Sequence, residues 1–251
     1  MADSHLKAFL SDFRRSRSRE YILTTQLVGD LAVAAAARGY DLLVYLPTVD
    51  ADGFDVIIDD RDRLVPVQLK SMVKKGKASE WSVHRKLLRP GPGAAELYGF
   101  EPSPTGVGRQ GGVILTKVAA AGDSKLQVSY AYTDIDVLSA LWLGIVPRAS
   151  PQRKRLKRVR KELETEPSGT IELPTSAFIA VPSPEHLLAL MGLRSRLDHP
   201  WRLQLQALLR QKHLPHDAPV VGEFSVPEET RRANIKRDLE GLSQVSGHAL
   251  L

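Results

Sequence analysis

The stretch GFDVIIDDRDRLVPVQLKS, from Gly53 to Ser71, decides the fold. Val56, Ile57 and Ile58 form a β-branched run, and Leu64 to Met72 reads as a second strand. Between them Asp59, Asp60, Arg61 and Asp62 read as a charged turn whose acids are expected to be solvated. Asp55 enters the first strand, and Gln68, Leu69 and Lys70 sit in the second. Side chains two apart on a strand point the same way, so Gln68 and Lys70 share a face. If the strands pair as a hairpin, Asp55 lies beside them. A carboxylate, an amide oxygen and an ammonium would then converge, a set able to hold a divalent cation and assist attack of water on a phosphodiester. Pro66 counts against a central strand, which needs every backbone donor, and marks a strand start or a bulge.

Upstream, residues 20–38 read as a helix. Leu23, Leu27, Leu31 and Ala34 recur at helical spacing, and Gly39 supplies the stop. Asp30 follows Leu23 by seven residues and projects within about 20° of it. A carboxylate on that stripe needs a metal, a hydrogen bond or an arginine to satisfy it. Glu20 lies on the same stripe, either as a further acid of a site or as a first-turn acid favoured by the helix dipole. Leu42 to Leu46 reads as a strand and Pro47 to Gly53 as an acidic loop. Asp50 and Asp52 compete there with Asp55, which is preferred because a rigid strand holds it.

Downstream, Lys74 to Gly76 is a turn and Glu80 to Leu88 a further strand. Arg89 to Gly93 and Glu101 to Gly112 are loops rich in Pro and Gly, the second able to cover a substrate. Gly112 to Val118 and Leu126 to Thr133 are two strands, and Asp136 to Leu143 a short helix. After Pro147 comes the basic run Arg153 to Lys161, read as a solvated surface or linker or as a polyanion contact. Residues 171–180 read as one strand, and 184–193, 200–212 and 227–242 as helices. Ser183 with Pro184 makes a good helix start. The division expected is an α/β core over 1–147 and, over 148–251, a basic linker, one strand and a helical extension.

The order helix, strand, strand, Gln68-x-Lys70 strand resembles the PD-(D/E)XK nuclease superfamily, the restriction-endonuclease-like fold. Its signature is an acid at a strand start followed by acid-x-Lys on the next strand. Here these are Gly53-Phe54-Asp55 and Gln68-x-Lys70, with glutamine where an acid is usual. The segment LVGDLAVAAAARGYDLLVYLPTVDADGFDVII is similar to the first helix and strands of bacterial members and of archaeal Holliday-junction resolvases. Asp30 stands where those carry Glu, before the turn Arg38-Gly39-Tyr40. The likeness covers about Arg19 to Ser71 well and Gly111 to Pro147 loosely.

The resemblance implies a central mixed β-sheet flanked by helices, plus a helical C-terminal part. It implies Mg2+, with Mn2+ as an alternative, held by Asp55, Gln68, the Leu69 carbonyl and Asp30, with Glu20 as an additional acid. Lys70 would stabilise charge developing at the phosphate. The implied activity is DNA cleavage by a metal-dependent endonuclease in restriction, repair or defence. A nucleic-acid-binding module with weak or lost catalysis is the alternative, favoured by Gln68, by Asp30 in place of Glu and by Pro66. A third reading is an α/β protein whose hairpin merely happens to hold Gln-x-Lys. Some members of the superfamily are dimers, but nothing in this sequence argues for a homodimer.

Composition narrows the classes. The 251 residues carry 35 Lys and Arg against 29 Asp and Glu, a formal charge of +6, and no cysteine. Disulfides and thiolate metal sites are excluded, and a cytoplasmic location is expected. No signal-like N-terminus and no apolar run near the ~20 residues of a membrane span is visible. The cations cluster at Arg14 to Arg19; at Lys74, Lys75 and Lys77; at Arg85 and Lys86; and at Arg153, Lys154 and Arg155, placements that suit DNA. No GxxxxGK[ST], HExxH or GxSxG occurs, and His84 reads as a surface histidine.

Overall fold

The charged turn closes the hairpin that the sequence implies. Arg61 takes a left-handed φ of 73°, and side chains hold it there. Asp59 accepts the Arg61 amide at 2.7 Å, and Asp60 accepts those of Asp62 and Arg63 at 3.1 and 2.7 Å. Asp60 is therefore buried and structural, where solvation was expected.

The computed structural model describes residues 5–47, 53–73, 78–101, 108–121, 125–166, 168–194, 200–213 and 225–243. In chain order they form α1 (His5–Ser11), α2 (Ser16–Ala36), β1 (Leu43–Tyr45), β2 (Val56–Asp59), β3 (Leu64–Val73), β4 (Glu80–His84) and α3 (Arg85–Leu88). There follow β5 (Gly112–Ala121), β6 (Lys125–Asp134), α4 (Ile135–Trp142), α5 (Ser150–Thr165), β7 (Thr170–Pro174) and β8 (Ile179–Val181). The last elements are α6 (Pro184–Met191), α7 (Trp201–His213) and α8 (Glu228–Ser243). The chain is thus α/β, with a mixed sheet of six strands in the order β1-β2-β3-β5-β6-β8 flanked by helices. Only β3 and β5 pair in parallel; β4 and β7 form a separate antiparallel pair.

Pro66 sits inside β3, and the ladders explain how. Leu69 sends its amide toward β2, so by alternation Val67 faces that side and Pro66 the other. The ladder to β5 starts only at Val67 opposite Gly112, so no donor is missed.

Register decides which side chains share a face. Pro66, Gln68 and Lys70 stand on one face, here the front, with Leu115 and Lys117 of β5. Leu69, Ser71 and Val73 stand on the back, with Thr116 and Val118 of β5 and Tyr130 and Val128 of β6. Helix α2 covers the back: Leu23 packs with Leu10, Val118 and Val73. On the front, α3 lies over the Pro66 end, where a Cβ on Gly111 would meet Leu87 at 2.5 Å.

Three expectations change. The strand expected over Glu80 to Leu88 ends at His84, and a helical turn follows. The strand expected over 171–180 is two strands, because β7 joins β4 while β8 joins β6. The basic run is the helix α5, whose Leu156, Val159 and Leu163 are buried. Described residues beyond 147 join the core of the sheet, with Leu187, Trp201 and Ile235 in the same apolar cluster as Val113 and Tyr132. No described helix is long and apolar enough to cross a membrane.

Candidate functional site

At the start of β2 a side chain takes over from the ladder. The Asp55 amide donates to the Val67 carbonyl at 2.9 Å. Its carboxylate then accepts the amide of Leu69 at 2.6 Å. Asp55 thereby holds the middle residue of Gln68-Leu69-Lys70. A strand residue presents its amide and carbonyl to the same side, so the Leu69 carbonyl also faces the gap that Asp55 borders. Both oxygens are hard donors of the kind Mg2+ prefers.

The neutral Gln68 is already engaged. Its side-chain oxygen accepts the backbone amide of His84 at 3.2 Å. His84 in turn packs against Gly53, which has a left-handed φ of 76°; a Cβ there would lie 2.3 Å from the Cβ of His84. Glycine at 53 lets the chain pass His84 and deliver Asp55. The ring nitrogen Nδ1 of His84 is buried with no partner among the described residues. Read from sequence as a surface histidine, His84 instead joins the small sheet to the site. Its backbone amide does this, and no side-chain motif marks a backbone amide.

Lys70 is half-buried on the front face and makes no ion pair among the described residues. Lys117 stands diagonally from it, one strand over and two residues along, about 8 Å away at ordinary strand spacings. Burial pushes the Lys117 amine down from its ordinary pKa. It was not singled out from sequence, because a lysine in an alternating strand carries no signal until the register places it.

Asp30 does not join this group. Its carboxylate accepts Gln26 at 2.7 Å and the Tyr130 hydroxyl at 2.6 Å. Burial first, and then this bond, push the Tyr130 hydroxyl well above its ordinary pKa. Tyr130 is a back-face residue, so the sheet separates Asp30 from Gln68 and Lys70. The expected convergence of all four is not formed, and Asp30 is satisfied by the hydrogen-bond alternative. Glu20 is exposed on the same helix, α2. Among the described residues no group of three or more His, Asp or Glu could hold a metal.

The expected nucleic-acid contacts divide. The Arg85 side chain is 11% exposed, ion-paired to Glu166 and, at 3.8 Å, to Glu162, so it is not available to a phosphate. Lys86 is half-buried on α3. Arg155 pairs with Glu80 at 3.4 Å. Arg153 and Lys154 are exposed on α5. Lys74, Lys75 and Lys77, with Asp50 and Asp52, lie outside the described residues.

For a divalent metal, the residues offer one carboxylate, one backbone carbonyl and a neutral amide oxygen with one lone pair in use. Mg2+ commonly binds through one or two carboxylates plus waters and substrate phosphates, so this set meets the minimum. No protein-family model matches the chain, and no curated protein matches it.

Proposed function

We propose that this chain is a divalent-metal-dependent deoxyribonuclease on a restriction-endonuclease-like core, acting through Asp55, the Leu69 carbonyl and Lys70. One observation carries the reading: the Asp55 carboxylate sits on the amide of Leu69, between Gln68 and Lys70. The order α2, β1, β2, β3 followed by a parallel β5 supports it. When bound, Mg2+ would polarise a phosphate oxygen and lower the pKa of a bound water. Asp55 fixes the position, and Lys70 supplies a cation to the developing negative charge.

A second reading, a nucleic-acid-binding module without catalysis, is favoured by the single carboxylate and by the back-face position of Asp30. Plasmid and short duplex and single-stranded DNA, incubated with Mg2+ or Mn2+, separate the two. Metal-dependent cutting that Asp55→Ala abolishes supports the nuclease. Binding at low salt without cutting by the folded wild type supports the module.

Gln68→Glu gives a finer test. Glutamate still offers an oxygen to the His84 amide, and it adds a second negative charge to the metal site. The expected result is a lower Mg2+ concentration for half-maximal cutting. An unchanged Mg2+ requirement removes Gln68 from the metal's surroundings.

A further inference from the structure

Helix α5 carries seven cations, Arg153, Lys154, Arg155, Lys157, Arg158, Arg160 and Lys161, against two acids, Glu162 and Glu164. They are not distributed evenly around it. At about 100° per residue, the buried Leu156, Val159 and Leu163 define the inner face. The flanks are neutralised. Arg158 pairs with Glu162 at 2.7 Å, Arg160 with Glu164 at 2.6 Å, and Arg155 with Glu80 at 3.4 Å. Arg160 also lies over the Trp142 ring at 5.6 Å. The outward crest is Lys154, Lys157 and Lys161, with Arg153 beside it, all exposed and without an ion pair among the described residues.

Such a crest works against the helix. Arg153 with Lys157, and Lys157 with Lys161, are like charges at i,i+4, each unfavourable by roughly 0.2–0.5 kcal/mol. Glu164, the one acid bordering these cations on α5, is paired with Arg160 at 2.6 Å and so offsets them little. The arrangement is stable at lower cost when something anionic lies along it.

We propose that this crest docks the phosphate backbone of duplex DNA. A lipid surface is the poorer occupant, because an interfacial helix must bury an apolar face in the bilayer, and the apolar face of α5 is used against the protein. The helix is also tied to the candidate site. Glu162 pairs with Arg85, and the neighbouring His84 holds Gln68. Helix α5 is thereby linked, through Arg85 and the adjoining His84, to the strand that carries Gln68 and Lys70. The proposal rests on the reading of the chain as a DNA-directed protein, but not on catalysis.

The test is binding of a 20-base-pair duplex in EDTA, followed by anisotropy across a salt series. The comparison is wild type beside Lys154→Gln/Lys157→Gln/Lys161→Gln, and beside Lys212→Gln/Lys236→Gln, which removes charge elsewhere. Each lost phosphate contact lowers the slope of log K against log salt by roughly 0.9, so the crest variant should lose about 2.7. The control should lose well under half of that. The melting temperature of the crest variant should be unchanged or higher, since repulsion is relieved. Equal slopes for wild type and crest variant overturn the proposal, as does an equal loss in the control. So does preference for anionic phospholipid vesicles over the duplex. Cutting that persists while the crest variant binds normally overturns the crest alone and leaves the nuclease reading in place.

Discussion

Replacing Arg202 by methionine is expected to cost about 3–5 kcal/mol of folding stability, the usual penalty for breaking a buried ion pair from one side. Arg202, at the start of α7, is 8% exposed and reaches two carboxylates that are almost wholly buried, Asp134 and Asp136. It donates to Asp134 at 2.6 Å, to Asp136, and to the Leu190 carbonyl, and stacks on the Trp201 ring at 4.5 Å. Asp134 also caps α4 through the Val137 amide at 2.8 Å and accepts the Tyr132 hydroxyl at 3.0 Å. Asp136 accepts the Tyr98 hydroxyl. One guanidinium thus joins α7 to β6, α4 and α6. Methionine fills much of the volume but leaves two buried acids without the guanidinium that both contact, with only the more distant Arg63 opposing their charge among the described residues.

The loss should depend on pH, with a definite sign. Burial already pushes the Asp136 carboxyl up from its ordinary value, and Arg202 opposes that. Without Arg202 the folded-state pKa rises further above the unfolded value of about 3.9. A carboxyl raised in the folded state loses stability as pH climbs from the unfolded pKa through the folded one. The deficit of Arg202→Met relative to wild type should therefore be smallest near pH 4 and largest at neutral pH. Urea unfolding at pH 4 and pH 7 measures it, and a deficit that is equal at both, or larger at pH 4, contradicts this account. Arg202→Leu combined with Asp136→Leu and Tyr98→Phe should recover part of the loss at pH 7, because well-packed apolar groups can replace a buried ion pair, while Asp134 still lacks its guanidinium partner.

Network residues such as these carry almost no mark in the sequence. Arg202 and Asp136 are 66 residues apart, and neither sits in a motif. The hairpin, by contrast, was legible, because turn acids and a β-branched run are local signals. Helix α2 was legible from its leucines, but the sheet face it covers was not. That choice depends on the register of β5 and β6, and it decided against Asp30. Arg85 looked free because its partners, Glu162 and Glu166, are about 80 residues away. The strand expected over 171–180 failed for a topological reason: β4 and β6 each take part of the segment, and a turn at Thr175–Ala177 separates the parts. The basic run had a readable period in Leu156, Val159 and Leu163, but its cations drew the reading toward a linker.

Lys70→Ala is expected to lower the rate of DNA cleavage by about 100- to 1,000-fold, the range for losing one group aimed at developing charge. Lys70 suits that task because of where β3 holds it. The strand lies between β2 and β5, so its backbone cannot shift to follow a substrate. Its amine makes no ion pair among the described residues, so its charge is available to a phosphate. Binding of the same duplex in EDTA should weaken far less than the rate, because ground-state contact with one phosphate is a small part of a many-phosphate interface. Lys70→Arg should restore binding but little of the rate, since a planar guanidinium does not reproduce a compact ammonium at one point. A Lys70→Ala protein that is folded and cuts at the wild-type rate would take Lys70 out of the chemistry. The neighbouring Lys117 would then be the cation on that face to replace first.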